Sequence, residues 1–111
     1  MQGRKAMEFC MKDELDITKN IRLTEYLKAD IIGSTSELYK RMAQNADSRD
    51  VAEAIGDIIL KAYLLSDTLG IGYVAVDSKL AELIKRAENE FGDNIDLSNL
   101  KRHLNISRGR E

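Results

Sequence analysis

The sequence predicts an all-α protein built on a helical hairpin plus a third helix, and three observations carry that prediction. The chain contains no proline, the residue that costs most in a helix interior. Its apolar residues recur at spacings of three and four over three long stretches, the signature of an amphipathic helix. Aromatics make up only 5% and tryptophan is absent, which argues against a β-sandwich and against an RNA-binding sheet of stacking aromatics. At 111 residues, with 43% hydrophobic and 32% charged, the chain has room for one modest core.

Residues 1–15 are weakly patterned and read as an arm or one short helix, with Met7 and Met11 as alternative starts. Residues 20–45 read as a long helix, because Leu23, Leu27, Ile31, Leu38 and Met42 fall on one face. Asp16 or Thr18 is suited to cap its start, and the polar run Gln44 to Asp47 ends it. Residues 48–69 read as a second helix with Ser48 as N-cap, Asp50 in the first turn and Gly70 just past the end. Val51, Ile55, Ile58, Ala62, Leu65 and Leu69 form one stripe, Ile59 and Tyr63 widen it, and Leu60 and Leu64 add a second apolar side. A helix apolar on nearly every side is expected to be central and covered on more than one face.

Residues 72–90 read as a third helix, with Tyr73, Val76, Leu80, Leu83 and Ala87 on one face. Phe91-Gly92 breaks it, and a short helix over 97–105 follows, carrying Leu97, Leu100 and Leu104. The organisation expected is an arm (1–15), a helical domain (16–92) and a C-terminal short helix and tail (93–111). Three helices cover a two-sided central helix poorly. A second copy of the chain covers it most simply, so a homodimer or higher homo-oligomer with a four-helix-type core is expected.

Charge and composition exclude several functions. Seventeen basic and 19 acidic residues, net −2, are interspersed, which is no footprint for nucleic acid. One cysteine, Cys10, and one histidine, His103, leave no intramolecular disulfide, no cysteine-based zinc site and no Cys–His pair. The longest apolar run, Ile58 to Leu65, is interrupted by Lys61 and is far too short to span a bilayer. The first residues are too polar for a secretory signal, so a cytoplasmic protein with no membrane partner is expected. Tyr26, Tyr39, Tyr63 and Tyr73 are expected to pack in the core rather than to stack on a ligand.

The acids are more informative. Glu53 and Asp57 lie one turn apart, in line with Leu60 and Leu64 on the second apolar side. Partial burial of two like charges calls for a compensating cation, a basic partner or protonation. Gly56 beside them costs about 1 kcal/mol relative to Ala, which points to close approach of a backbone or ligand. On the first helix Asp30, Ser34 and Glu37 share a face. In a hairpin these sets face each other, placing up to four carboxylates and a hydroxyl around one spot. Such hard oxygen donors suit Mg²⁺ or Mn²⁺. The plainer reading is that Arg22, Lys28, Arg41 or Lys61 neutralises the acids with no metal.

The run EAIGDIILKAYLLSDTLGI (Glu53 to Ile71), the later VDSKLAELIKR and the segment ITKNIRLTEYLKADIIGSTSELYK (Ile17 to Lys40) together resemble the MazG-like branch of the all-α nucleoside triphosphate pyrophosphohydrolases. The resemblance covers roughly residues 17–90. It implies Mg²⁺-dependent cleavage of a nucleoside triphosphate to the monophosphate and pyrophosphate. The family uses an E-x-x-E pair on the first helix and an E-x-x-D pair on the second. By position Glu37 and Asp57 match and are the implied catalytic acids, whereas Ser34 and Ala54 stand where glutamates are expected. Asp30 and Glu53 lie nearby, so Glu37, Glu53, Asp57 and Asp30 form the implied metal set. Lys79 and Arg86 match phosphate-binding positions, and Leu83 replaces an asparagine. Two functions follow from this. One is a pyrophosphohydrolase acting on a nucleotide with reduced activity; the other is a catalytically silent dimerisation or nucleotide-sensing module.

Overall fold

The structure, a computed structural model, describes residues 2–109, with side chains described over 17–105. Four helices follow one another: α1 (Gln2–Ala43), α2 (Ser48–Thr68), α3 (Tyr73–Phe91) and α4 (Ser98–Gly109), with a 3₁₀ turn, Gly92–Asn94, before α4. No strand occurs among the described residues, so the protein is all-α. No helix among them is long and apolar enough to cross a membrane. The chain divides into two compact units, Met1–Tyr73 and Val74–Glu111. Side chains of the expected arm, including Cys10, and of the tail past Asn105 lie outside the described residues.

α1 is longer than its apolar stripe. Asp16 and Thr18 sit inside the helix instead of capping it. The physical reason is local: between Gly3 and Gly33 the sequence holds neither glycine nor proline, so nothing interrupts the backbone ladder even where no apolar face is present. The helix ends on a left-handed residue, Asn45 at φ 57°. Ala46 N–H donates to Arg41 O (3.0 Å) and Asn45 N–H donates to Met42 O (3.2 Å), the paired bonds of a Schellman ending. Asp47, rather than Ser48, then caps α2 by accepting from Asp50 N–H at 2.9 Å. A carboxylate placed there also meets the positive end of the helix dipole, which a hydroxyl does not. The same ending recurs at Gly70, φ 78°, where Ile71 N–H donates to Ser66 O and Gly70 N–H donates to Asp67 O.

The short turn between Ala43 and Ser48 makes α1 and α2 an antiparallel hairpin. Its seam is small and polar. Leu27 is 2% exposed, Ala54 5%, Ser34 7%, and Ser66 is also buried. Thr24 Oγ1 donates to Thr68 Oγ1 across the seam at 2.9 Å. The large apolar residues of α2 are mostly elsewhere. At about 100° per residue, Ile55, Ile59 and Ala62 fall on one side of the stripe facing α1, and Leu60 and Leu64 fall on the other. Ile55, Ile59, Leu60 (54%) and Leu64 are all exposed on the single chain, so these sides of α2 are left uncovered by α1. One neighbouring helix covers one side, and α1 supplies no more. Tyr26, Tyr39 and Tyr73 are exposed too, against the expectation that they pack in the core. Tyr73 instead meets Tyr63 edge-to-face, with ring centroids 5.7 Å apart, a geometry that aromatic quadrupoles favour.

In the second unit Ile84 of α3 is buried, and Lys101 of α4 pairs with Glu88 of α3 at 3.0 Å. Asp96 Oδ1 accepts from Ser98 N–H and Oγ–H at 2.9 and 2.6 Å. These two bonds hold the Asp96 carboxyl below the usual carboxylate range and open α4.

Within the chain a Cβ built at Gly56 has nothing within 4 Å. Gly56→Ala is therefore expected to raise stability by about 0.5–1 kcal/mol, measured by urea unfolding. A loss of stability would show that another backbone packs there.

Candidate functional site

The hairpin register decides which polar side chains meet. Asp30, Ser34, Glu37 and Arg41 follow one another at helical spacing along α1, and Glu53, Asp57 and Lys61 do so along α2. Antiparallel packing pairs the late end of one series with the early end of the other. Two groups result.

The first group is centred on Lys61. Its Nζ lies 2.5 Å from Asp30 Oδ2 and 2.7 Å from Asp57 Oδ2, and it donates to Ser34 Oγ at 2.9 Å. Ser34 Oγ in turn donates to Asp57 Oδ2 at 2.8 Å. The three ammonium protons thus have three oxygen acceptors, two of them from the opposite helix. Bonds to Asp30 first and Asp57 second push the Lys61 ammonium up to about 12. The Lys61 and Ser34 bonds hold the Asp57 carboxyl below its ordinary range.

The second group is centred on Arg41. Its Nε donates to Glu37 Oε1 at 3.2 Å, one turn back on α1. Its Nη1 donates to Asp50 O at 2.7 Å and to Glu53 Oε1 at 3.3 Å on α2. These partners, the Glu37 bond foremost, raise the guanidinium above its ordinary value. Arg41 thereby fastens the end of α1 to the first turns of α2.

The four acids expected around one spot are thus divided between two cations of the same hairpin. Among the described residues no three metal-capable side chains converge. As arranged, the set does not fit a divalent metal: each carboxylate meets an ammonium or guanidinium at close range, and the position between Asp30 and Asp57 is taken by Lys61. Of the cations that the sequence offered as neutralisers, Lys28 instead pairs with Glu25 on its own helix at 2.9 Å.

Ser34 and Ala54 explain how the seam closes. Both are buried between the helices. Lys61, one turn beyond Asp57, then reaches both Asp30 and Ser34. The signal for Lys61 was present in the sequence, as a lone cation inside the most apolar run and one turn from Asp57. Its partner across the seam was not. On α3, Lys79 pairs with Glu82 at 3.1 Å on an exposed face, and Arg86 and Leu83 are exposed.

Comparison with protein-family models matches the MazG-like family over residues 17–100. No curated protein and no solved structure matches the chain.

The Lys61 group sets an expected pH profile. The lowered Asp57 carboxyl contributes stability above its ordinary value of 3.8, lost as pH falls through the lower folded value. The raised Lys61 ammonium contributes stability below its ordinary value of 10.5, lost as pH rises through about 12. The melting temperature is therefore expected to be flat between these limits and to fall outside them. In Asp57→Asn the acid limb should be shallower. An unchanged acid limb in that variant would show that the pair does not act in the folded state.

Proposed function

The chain belongs to the MazG-like family, and on that footing we propose that it keeps the nucleotide-pyrophosphohydrolase-like fold as a self-associating helical module that does not hydrolyse nucleotides. The observation that carries this reading is the Lys61 ammonium between Asp30 and Asp57, at 2.5 and 2.7 Å. Metal-assisted hydrolysis uses open coordination positions on a cation to activate water and polarise phosphate. An ammonium whose three protons are all bound by protein oxygens offers none. Ser34 and Ala54, buried at the glutamate positions, support the same reading.

Self-association is supported by what the hairpin leaves bare. The side of α2 running through Val51, Ile55, Ile58, Ile59 and Ala62 carries no charged residue, and Ile55 and Ile59 are exposed on it. An uncharged apolar face matches another like itself, and a two-fold axis pairs it with the same face of a second copy. Two hairpins joined in this way make the four-helix-type core expected from the sequence.

One observation favours a second reading, a weak Mg²⁺- or Mn²⁺-dependent pyrophosphohydrolase acting on a nucleotide. Glu37 and Glu53 are 49% and 74% exposed and both pair with Arg41, and exposed pairs of this kind exchange partners at little cost. In that reading Glu37 and Asp57 are the catalytic acids, and Lys79 and Arg86 meet the phosphates.

Pyrophosphate release from a panel of ribo- and deoxynucleoside triphosphates, with Mg²⁺ or Mn²⁺, separates the two. We expect equal background release from the wild-type protein and Asp57→Asn. Release by the wild type that disappears in Asp57→Asn would overturn the silent-module reading. Light scattering at tens of micromolar protein is expected to give a dimer or larger, and monomer alone would remove the self-association.

A further inference from the structure

One side of α1 carries a pattern that the hairpin does not use. From Ile17 to Met42, positions taken alternately four and three apart form a single stripe: Ile17, Ile21, Thr24 and Lys28, then Ile31, Thr35, Leu38 and Met42. This is a seven-residue repeat, the spacing that keeps one helix stripe against another. The ion pairs of Lys61 and Arg41 lie on the other flank of the seam, so the stripe continues the uncharged side of α2 that carries Ile55 and Ile59. Ile17, Ile21 and Met42 are each more than half exposed. The polar members already have partners within the chain: Thr24 Oγ1 donates to Thr68 Oγ1, Lys28 Nζ to Glu25 Oε1 and Thr35 Oγ1 to Ile31 O, each at 2.9 Å. Covering the stripe therefore strands neither hydroxyl, and Glu25 draws the Lys28 ammonium toward the rim.

The order of side chains along the stripe reads alike from either end. Two apolar residues come first, then a threonine, then Lys28 or Ile31 at the centre. An antiparallel copy thus sets apolar against apolar and threonine against threonine. The open end of the hairpin decides against a parallel copy. α2 stops at Thr68, level with Thr24, while α1 continues back past Ile17. Ile17, Ile21 and Leu69 there wall an open notch of about 420 Å³. A parallel copy puts both notches at one end, where neither hairpin reaches them. An antiparallel copy lays its turn end, with Leu38 and Met42, over the notch of the first.

We infer that a second copy of this chain docks antiparallel on this face, about a two-fold axis between Lys28 and Ile31, with its α1–α2 turn seated on the Ile17–Ile21 notch. This rests on the self-association proposed above and adds its orientation and register. Ile17 of one copy meets Met42 of the other, Ile21 meets Leu38 and Thr24 meets Thr35, each contact occurring twice. A slip of one repeat sets Ile17 against Thr35 or Lys28 against Leu38, so the polar members fix the register.

The test uses Ile17→Glu and Met42→Lys, both at exposed positions, with helicity by circular dichroism as the check on folding. In sedimentation each variant alone is expected to dimerise at least about tenfold more weakly than the wild type. An equimolar mixture is expected to recover wild-type dimerisation to within about threefold. In the mixed antiparallel dimer the new carboxylate meets the new ammonium at one end, and the other end keeps its Ile17–Met42 contact. A parallel dimer gains no such pair. As a second measurement, a spin label on Thr18→Cys, in a Cys10→Ser background, is expected to lie roughly 35 Å from its mate along the helix axis. A dimer without rescue in the mixture, or with labels closer than about 20 Å, would overturn the inference and leave the self-association standing. A wild type that is monomeric at tens of micromolar would remove both.

Discussion

Two carboxylates on facing helices need a positive charge between them, and in this hairpin that charge belongs to Lys61. Asp30 and Asp57 meet its ammonium from opposite sides of the seam, and Ser34 closes the ring by accepting from Lys61 and donating to Asp57. The register of α1 against α2 is therefore set as much by polar geometry as by apolar packing. Sliding one helix by a residue rotates its side chains by about 100°, which takes at least one acid off the ammonium. Thr24 with Thr68, and Arg41 with Glu53 and the Asp50 carbonyl, mark the same register toward the two ends.

A polar seam has a consequence for everything around it. Leu27 and Ala54 are the well-buried apolar side chains between the two helices, which is a small hydrophobic contribution for helices of this length. The larger apolar residues of α2 were left on its flanks, where Ile55, Ile59, Leu60 and Leu64 are exposed. Burying them accounts for the proposed self-association. The interior of an assembly would then be the main hydrophobic core, with the hairpin as its building block.

The same seam bears on chemistry. Ser34 and Ala54 are uncharged and buried where α1 and α2 meet. The acids around them are held in ion pairs with cations of the same hairpin. Glu37 and Glu53 stay exposed and lightly held by Arg41, while Asp57 is held by two bonds that favour its charged form. The difference between the two groups is one of burial and partner number, and it makes the Lys61 group the one whose disturbance changes the seam.

Much of this was legible in the sequence. Helix number, helix type and the ends of α1 and α2 at their C-termini follow from local causes: no proline, apolar spacing of three and four, Gly70 after α2 and the polar break after α1; the start of α1 does not, since the helix runs back to Gln2. The unusual positions Ser34, Ala54 and Asp57 stood out as well. One local reading failed because a neighbour one residue away did the same task better: Asp47 took the place of Ser48 at the start of α2. Others failed for a different reason. Coverage of α2, placement of the tyrosines and the pairing of each acid depend on which surfaces meet, and side-chain spacing along one helix does not contain that information. Arg22, Lys28, Arg41 and Lys61 were equivalent candidates in the sequence. The antiparallel register put Lys61 against Asp30 and Arg41 against Glu53, because charge pairing across a seam is decided by the relative placement of two helices and not by either helix alone.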